Sequence, residues 1–572
     1  MSDALLVALN AQYVHTALGI RSLAAYVGDE FVIDCMERTI NDSFFAIIEE
    51  IYCRRAPIIG LSCYIWNIDW MLQIAQAVRA MIPNATIVLG GPEVSYDAQS
   101  CLEQHPYVDA VFCGEGERSF LAYLRQWKTK RDFSAIGGLC YRKENGRIRQ
   151  NSTLELLAGE EIPVGYDFCD LPQAPQIVYY ESSRGCPYRC GFCLSRGERV
   201  RMRSTEATIA HLKQFADAQL AQVKLVDRTF NADLTRAKAI WRAISSWDTP
   251  CNFHFEVAAR TLDEEAIAIL QRAPAGRIQL EIGIQSTHEP TKRAIEREES
   301  FEKIADVVKK IQKNHNVHVH LDLIAGLPHE NWEAFGRSFR AVYALQPDMF
   351  QLGFLKLLKG SRLREIADSF GCQYRTSAPY DVLKTDDMPP DALFELKRCE
   401  HAVDRYYHSN QCKRAIQYLL QKGADPFDFY VALGRWIADK PIQKHLNRLL
   451  ALWTFAEEKE WQDEALRQLL LFDYLAAERR AKLPLGAEKG DAQIDKRVRA
   501  FYQHEAERYW GKGVRTPWRF SQIYAFDYDV LTYNGTQPLQ KRACFILFDY
   551  LNHTQEEITL PEMRAECAGD NG

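Results

Sequence analysis

Two stretches of this 572-residue chain repeat one pattern: a short apolar run, then a longer segment whose apolar residues recur at helical spacing. In the first stretch the runs are ALLVALN (4–10), FVIDCME (31–37), PIIGLSCYI (57–65), ATIVLGG (85–91) and VDAVFCGEGE (108–117). Between them lie helical segments such as DSFFAIIEEIYCRR and WMLQIAQAVRAMIP. Strands that alternate with helices pair in parallel, because each helix carries the chain back to the end of the sheet where the last strand began. Five such units predict an α/β domain over residues 1–128, a doubly wound Rossmann-like or flavodoxin-like parallel sheet. Ligands of such sheets bind beyond the carboxyl ends of the strands. There the chain places NAQYVHT, SCYIWN, GGPEVS and CGEGE.

Residues 129–175 read as a linker, with a hairpin around Asn145-Gly146 and the irregular EEIPVGYDFCDLPQAP. From 176 the alternation resumes with QIVYYESS, QVKLVDRTF, CNFHFEVAA, RIQLEIGIQS, HVHLDLIAGLP and MFQLGFLKLL, each but the last followed by a helix. Six β/α units over 176–372 predict a parallel barrel of TIM type, in its partial (β/α)6 form, with chemistry at the C-terminal strand ends. Residues 373–572 turn mostly helical, and the aromatic segment from RFSQIYAFDYDVLTY to KRACFILFDYLN reads as α+β.

Apolar content of 47% and charge of 26% are ordinary for a globular protein, and a net charge of −6 gives no global basic field for nucleic acid. The first residues show neither a basic leader nor a cleavage site, and no apolar run approaches the ~18 residues of a membrane span. A cytoplasmic protein is therefore the expectation. Most of the sixteen cysteines stand singly in apolar segments, as buried free thiols do in a reducing compartment. The exception is ESSRGCPYRCGFCLSR (181–196), which places Cys186, Cys190 and Cys193 on one loop after the first strand of the second block. A closed zinc site takes four ligands, commonly two C-x2-C pairs, and the chain has no second pair. Thiolates also hold iron–sulfur clusters, and a distant fourth cysteine completing a conventional cluster is a further use of such a loop.

This C-x3-C-x2-C loop, with Gly185-Cys186-Pro187 and Phe192-Cys193, resembles that of the radical S-adenosylmethionine enzymes. The resemblance implies that Cys186, Cys190 and Cys193 hold a 4Fe-4S cluster whose fourth iron binds S-adenosyl-L-methionine, with Phe192 near the adenine. It also implies cofactor contacts at barrel strand ends: Asp227, Glu256, Arg260, Gln285 and Asp322. The first domain resembles the cobalamin-binding domain that precedes many such barrels, through Gly90-Gly91-Pro92-Glu93 and Gly114-Glu115-Gly116-Glu117. Glycines permit close approach of a corrin, and His15, Ser62, Tyr64 and Trp66 stand in adjoining loops. The D-x-H-x-x-G pattern that supplies a histidine to cobalt in other cobalamin proteins is absent. The residue below cobalt is then expected from SCYIWN: Tyr64, Trp66 or Asn67.

Across about residues 1–370 the chain is thus similar to cobalamin-dependent radical S-adenosylmethionine enzymes. The favoured reaction is methyl transfer from methylcobalamin to an unactivated carbon through a 5′-deoxyadenosyl radical. Rearrangement, cyclisation or oxidation without methyl transfer, and a non-catalytic cobalamin and cluster sensor, stand as alternatives. The implied partners are an electron donor such as flavodoxin or ferredoxin and a small-molecule substrate, favoured over peptide or RNA. In the C-terminal region Tyr406, Tyr407, Arg508, Tyr509, Trp510, Arg515 and Trp518 either cover the barrel mouth or form an ordinary core with a solvated rim, and the core reading is favoured.

Overall fold

The structure is a computed structural model that describes residues 2–152, 155–171, 177–297, 299–440, 444–477, 483–486, 492–511 and 516–561. The chain divides into two compact units, Met1–Leu393 and Phe394–Gly572.

The first unit opens with strands β1 (Ala4–Asn10), β2 (Ile33–Thr39), β3 (Ile58–Ser62), β4 (Thr86–Gly90), β5 (Ala110–Phe112), β6 (Leu139–Arg142) and β7 (Ile148–Gln150). They form one sheet in the order β2-β1-β3-β4-β5-β6-β7. The first five pair in parallel, as the alternation predicts. Successive residues of β1 feed two cores. Leu5, Val7 and Leu9 pack with the helices Phe44–Arg54 and Ile68–Met81, while Ala4, Leu6 and Ala8 pack with Leu18–Val27 and Glu117–Trp127. Helices on both faces explain why every residue of β1 is apolar up to Asn10. The Asn145-Gly146 hairpin, expected in the linker, instead extends this sheet: β6 pairs antiparallel with β5, and Leu139 and Cys140 are fully buried. It covers the open backbone edge that β5 presents.

The barrel segment holds β8 (Val178–Tyr180), β9 (Ser183–Cys186), β10 (Glu198–Met202), β11 (Gln222–Leu225), β12 (Asn252–Glu256), β13 (Ile278–Gln285), β14 (Val317–Ala325) and β15 (Met349–Phe354). Six of them form a parallel sheet in the order β15-β14-β13-β12-β11-β8, open between its two ends, which is the partial barrel expected. β9 and β10 form a separate antiparallel hairpin, and the cysteine loop lies between them. The run QIVYYESS is therefore not one strand. Asp227 accepts hydrogen bonds from the backbone N–H groups of Ser182 (2.7 Å) and Ser183 (2.8 Å), which breaks the strand at that point. Ser204 caps the next helix, Thr205–Asp217, as its position suggests. A short ribbon of β16 (Gln373–Tyr374) and β17 (Val382–Lys384) closes the unit.

The second unit contains helices such as Lys413–Gln421, Pro426–Ile437 and Glu464–Ala477, and an antiparallel sheet of β18 (Ser521–Tyr528), β19 (Lys541–Asp549) and β20 (Thr554–Ile558). Tyr406 is buried, and Tyr509 and Trp510 pack on the core of Phe501, Ile523 and Leu547. The core reading of these aromatics describes them well. Trp518 is half exposed, and Arg515 lies outside the described residues. No described helix is long and apolar enough to cross a membrane.

Candidate active site

Backbone sterics shape the cysteine hairpin. Gly185 has φ +95°, and a Cβ there would collide with the Arg199 carbonyl oxygen across the hairpin, so only glycine fits before Cys186. Cys186 and Cys190 are buried and Cys193 half-buried, and all three are free thiols. The Thr229 hydroxyl lies 3.3 Å from Cys186 Sγ, and the Arg297 guanidinium donates to Cys190 Sγ at 3.8 Å. Burial pushes the Cys190 and Cys193 thiols up, and the cations Arg297 and Arg228 oppose it. Three thiols on one loop, with a hydroxyl and a guanidinium at their sulfurs, fit a thiolate-held iron–sulfur cluster, since hydrogen bonds and positive charge stabilise such sulfurs. Phe192 is half-buried between two of the ligands.

The hairpin is locked to the first sheet's strand-end loops by charge. Arg184 on β9 faces Arg201 on β10, a like-charge pair that is unfavourable alone. Three carboxylates resolve it. Arg184 donates to Glu117 (2.6 Å) and Glu181 (2.8 Å) and lies 3.4 Å from Glu115, and Arg201 donates to Glu115. All five side chains are at most 19% exposed. Burial would lower Arg184, but Glu181 and Glu117 outweigh it and hold the guanidinium charged. The Glu115 and Glu117 carboxylates, expected at cobalamin, are thus engaged by the cysteine hairpin. Glu93 is engaged likewise: it is buried, accepts from the Tyr380 hydroxyl, and lies 3.2 Å from Lys359 Nζ.

The remaining loop residues sort by geometry. Gly91 has φ +112°, and a Cβ there would strike the Cys63 carbonyl, whereas a Cβ on Gly114 would meet nothing within 4 Å. Gly90 accepts from the Cys63 N–H (2.7 Å), Pro92 opens the short helix Pro92–Ser95, and Gly116 packs on Leu23. Trp66 is 43% exposed and stacks on Tyr64 with ring centroids 4.4 Å apart, and its indole N–H donates to Leu9 O. Asn67 is buried and fully used, bonding the Tyr64 N–H and the carbonyls of Leu9 and Ser62. It shapes the SCYIWN loop and presents no free group. His15 pairs through Nδ1 with the hydroxyl of Tyr179 in β8 (2.7 Å), and its backbone bridges Ile177.

Inside the barrel sheet, polar side chains meet across adjacent strands. Lys224 (β11) and His254 (β12) each lie 3.0 Å from Glu281 Oε2 (β13), and His320 Nε2 lies 2.8 Å from Asp322 Oδ1 on β14. Burial opposes ionisation of Glu281, but His254, Lys224 and His320 outweigh it and hold its carboxyl at about 2. Glu256, beside Glu281 in register, is pushed up to about 7 by burial and then by the Glu281 charge. Burial likewise raises Asp322 against the pull of His320. Of the expected S-adenosylmethionine contacts, Glu256 and Asp322 share this lattice. Gln285 has φ +68°, is 9% exposed, and its Oε1 is without a hydrogen bond among the described residues. Arg260 is exposed and lies over the Tyr188 ring at 4.1 Å within the cysteine loop. Asp227 is fully buried, pushed up by that burial, and its oxygens hold Ser182 and Ser183, so it positions the loop's root.

Sequence reasoning did not find Arg184, Arg297 or Tyr96. An arginine carries no pattern that distinguishes a buried clamp from a solvated one. Tyr96 follows GGPEVS, packs on Gly360, and is raised by burial and the nearby Glu198 and Cys193. It therefore stands between the fourth strand-end loop and the cysteine loop.

Residues 4–124 match the B12 binding domain, 180–342 the radical SAM superfamily, and 368–548 a family described as a protein of unknown function (DUF4080). The chain therefore joins a B12-binding domain to a radical SAM domain, the architecture of the cobalamin-dependent radical SAM enzymes. An uncharacterized methyltransferase of Pyrococcus horikoshii is 26% identical, over 61% of this chain and 78% of that protein. The cobalamin-dependent radical SAM methyltransferase TokK of Streptomyces tokunonensis is 24% identical, over 67% of this chain and 62% of its own length. Among solved structures, the cobalamin-dependent radical enzyme OxsB with aqua-cobalamin and S-adenosylmethionine bound shares the fold, with TM-score 0.58, 14% identity, and coverage of 88% of this chain and 81% of that one. TsrM of Kitasatospora setae with cobalamin and a [4Fe-4S] cluster bound follows at TM-score 0.55, 18% identity, 67% and 79%.

Proposed function

We propose that this protein is a cobalamin-dependent radical S-adenosylmethionine methyltransferase acting on an unactivated carbon of a small polar molecule. The carrying observation is the clamp of Arg184 and Arg201 on Glu115 and Glu117, which sets the strand-end loops of the B12-binding domain against the cysteine hairpin. When bound, the cluster, S-adenosylmethionine and cobalamin supply one-electron C–S cleavage and the methyl group, with the electron drawn from a donor such as flavodoxin or ferredoxin.

The chain's own residues provide the rest. Cys186, Cys190 and Cys193 hold the cluster, and Arg297 and Thr229 stabilise its sulfurs. Glu256, Arg260, Gln285 and Phe192 bind S-adenosylmethionine at the strand ends. The open backbone at Gly114 admits the corrin, with Trp66 and Tyr64 offering an aromatic face. The polar barrel interior favours a small hydrophilic substrate over a lipid or an extended peptide.

The test is anaerobic reconstitution with iron, sulfide and methylcobalamin, reduction, addition of S-adenosylmethionine, and quantification of 5′-deoxyadenosine and S-adenosylhomocysteine. Both products are expected from the native chain and neither from Cys190→Ala. Deoxyadenosine without S-adenosylhomocysteine, in the presence of a turned-over substrate, would replace methyl transfer by rearrangement or oxidation.

A further inference from the structure

We propose that the barrel interior holds a divalent transition-metal ion on His254, Glu281 and His320, separate from the cysteine loop. The three residues stand on the adjacent strands β12, β13 and β14. One ligand atom from each lies within 4.8 Å of the other two, with His254 Nε2 3.0 Å and His320 Nδ1 4.0 Å from Glu281 Oε2. Ligands at about 2.0–2.2 Å from a tetrahedral ion stand ~3.3–3.5 Å apart, so these distances bracket what an ion requires.

Two features support the assignment. Both histidines are 5% exposed, yet His254 Nε2 and His320 Nδ1 make no aligned hydrogen bond among the described residues. A buried imidazole nitrogen without an aligned hydrogen bond is costly. The second nitrogen of His320 lies 2.8 Å from the Asp322 carboxylate without an aligned hydrogen bond, a proximity from which the carboxylate–histidine pairing of ligating imidazoles can form.

Two imidazoles and one carboxylate suit zinc or iron(II) and leave coordination positions open. An open position inside a radical SAM barrel would take a carboxylate, phosphonate or carbonyl oxygen of a substrate, which fixes the reacting carbon by its polar neighbour. Lys224 competes with the ion for Glu281, so it tunes affinity downward.

The probe is zinc, added to the full chain after its iron–sulfur cluster has been assembled. Elemental analysis after gel filtration is expected to show one zinc per chain. Zinc-edge X-ray absorption is expected to show nitrogen and oxygen neighbours at ~2.0–2.1 Å and no sulfur at ~2.3 Å. His254→Gln with His320→Gln is expected to weaken zinc at least about 100-fold, and Asp322→Asn about 10–100-fold, each with cluster absorbance unchanged. Lys224→Met is expected to tighten zinc, a gain that misfolding does not produce. The Cys186→Ala, Cys190→Ala, Cys193→Ala triple variant is expected to keep its zinc. Sulfur neighbours, zinc that survives the histidine changes and leaves with the cysteines, or no zinc on the cluster-loaded chain would overturn the proposal. These readouts are independent of methyl transfer.

Discussion

The first sheet and the barrel sheet are built from the same alternation of strand and helix, yet their strands differ in one respect. β1 reads ALLVALN and is buried along its whole length, whereas β13 reads IQLEIGIQ and alternates between buried and half-buried. A doubly wound sheet carries helices on both faces, so both sets of side chains must be apolar. The barrel sheet has helices only outside. Its inner face is free to carry Gln222, Lys224, His254, Glu256, Gln279, Glu281, His320 and Asp322, where most barrels pack apolar layers. The polar period of two along β11 to β14 therefore marks the surface reserved for chemistry. Its absence from β1, β3 and β4 leaves the first domain only its strand-end loops for a ligand.

Placing a charge in each sheet breaks that comparison most sharply. Leu61→Lys in β3, where Leu61 is 2% exposed, buries an unpaired ammonium. It is expected to cost at least 3–5 kcal/mol, about the cost of an unpaired buried charge, and to unfold the first unit in a denaturant titration. The next effect in size falls on the clamp between the two regions. Arg184→Ala leaves Glu115, Glu117 and Glu181 buried without their shared cation. A loss of about 3–5 kcal/mol is expected, read by thermal denaturation, with retention of Cys186-loop iron as the control. A Glu117→Gln second change is expected to restore part of it.

Glu256 sharpens the comparison through pH. Its folded pKa of about 7 stands above the ordinary 4.5. A carboxyl so raised contributes stability that is complete below pH 4.5 and is lost as pH rises through 7. The full difference is at most about 3 kcal/mol. Native protein is thus expected to weaken between pH 5 and 8 by up to that amount relative to Glu256→Gln, as measured by urea midpoints. Equal slopes for both proteins would show that Glu256 is solvated. The smallest effect is Gln279→Lys on the barrel's inner face. Gln279 accepts from Gln222 Nε2 at 3.3 Å, near an excess of carboxylates. A change within about 1 kcal/mol is expected, against the collapse caused by Leu61→Lys.

Much of the site was legible because its signals are local. The cysteine spacing, the Gly-Gly and Gly-x-Gly turns, the Asn145-Gly146 hairpin and the Ser204 cap each depend on residues within one turn of each other. The carboxylates misled for the same reason. Glu93, Glu115 and Glu117 sit in the right loops, but their partners Lys359, Tyr380, Arg184 and Arg201 arrive from distant segments and engage them. Asn67, a candidate beneath cobalt, turned out to be the bracket of its own loop.

The sequence by itself determined the element types, the parallel pairing and the three-cysteine loop, because hydrophobic period and covalent spacing act within a few residues. Only the tertiary structure decided which carboxylates are clamped and which remain free. It alone moved the hairpin onto the first sheet and gathered Lys224, His254, Glu281 and His320 around one point. Those outcomes depend on residues far apart in the chain coming together, from 57 positions between Lys224 and Glu281 to 287 between Glu93 and Tyr380, and burial and charge pairing exist only once they have met.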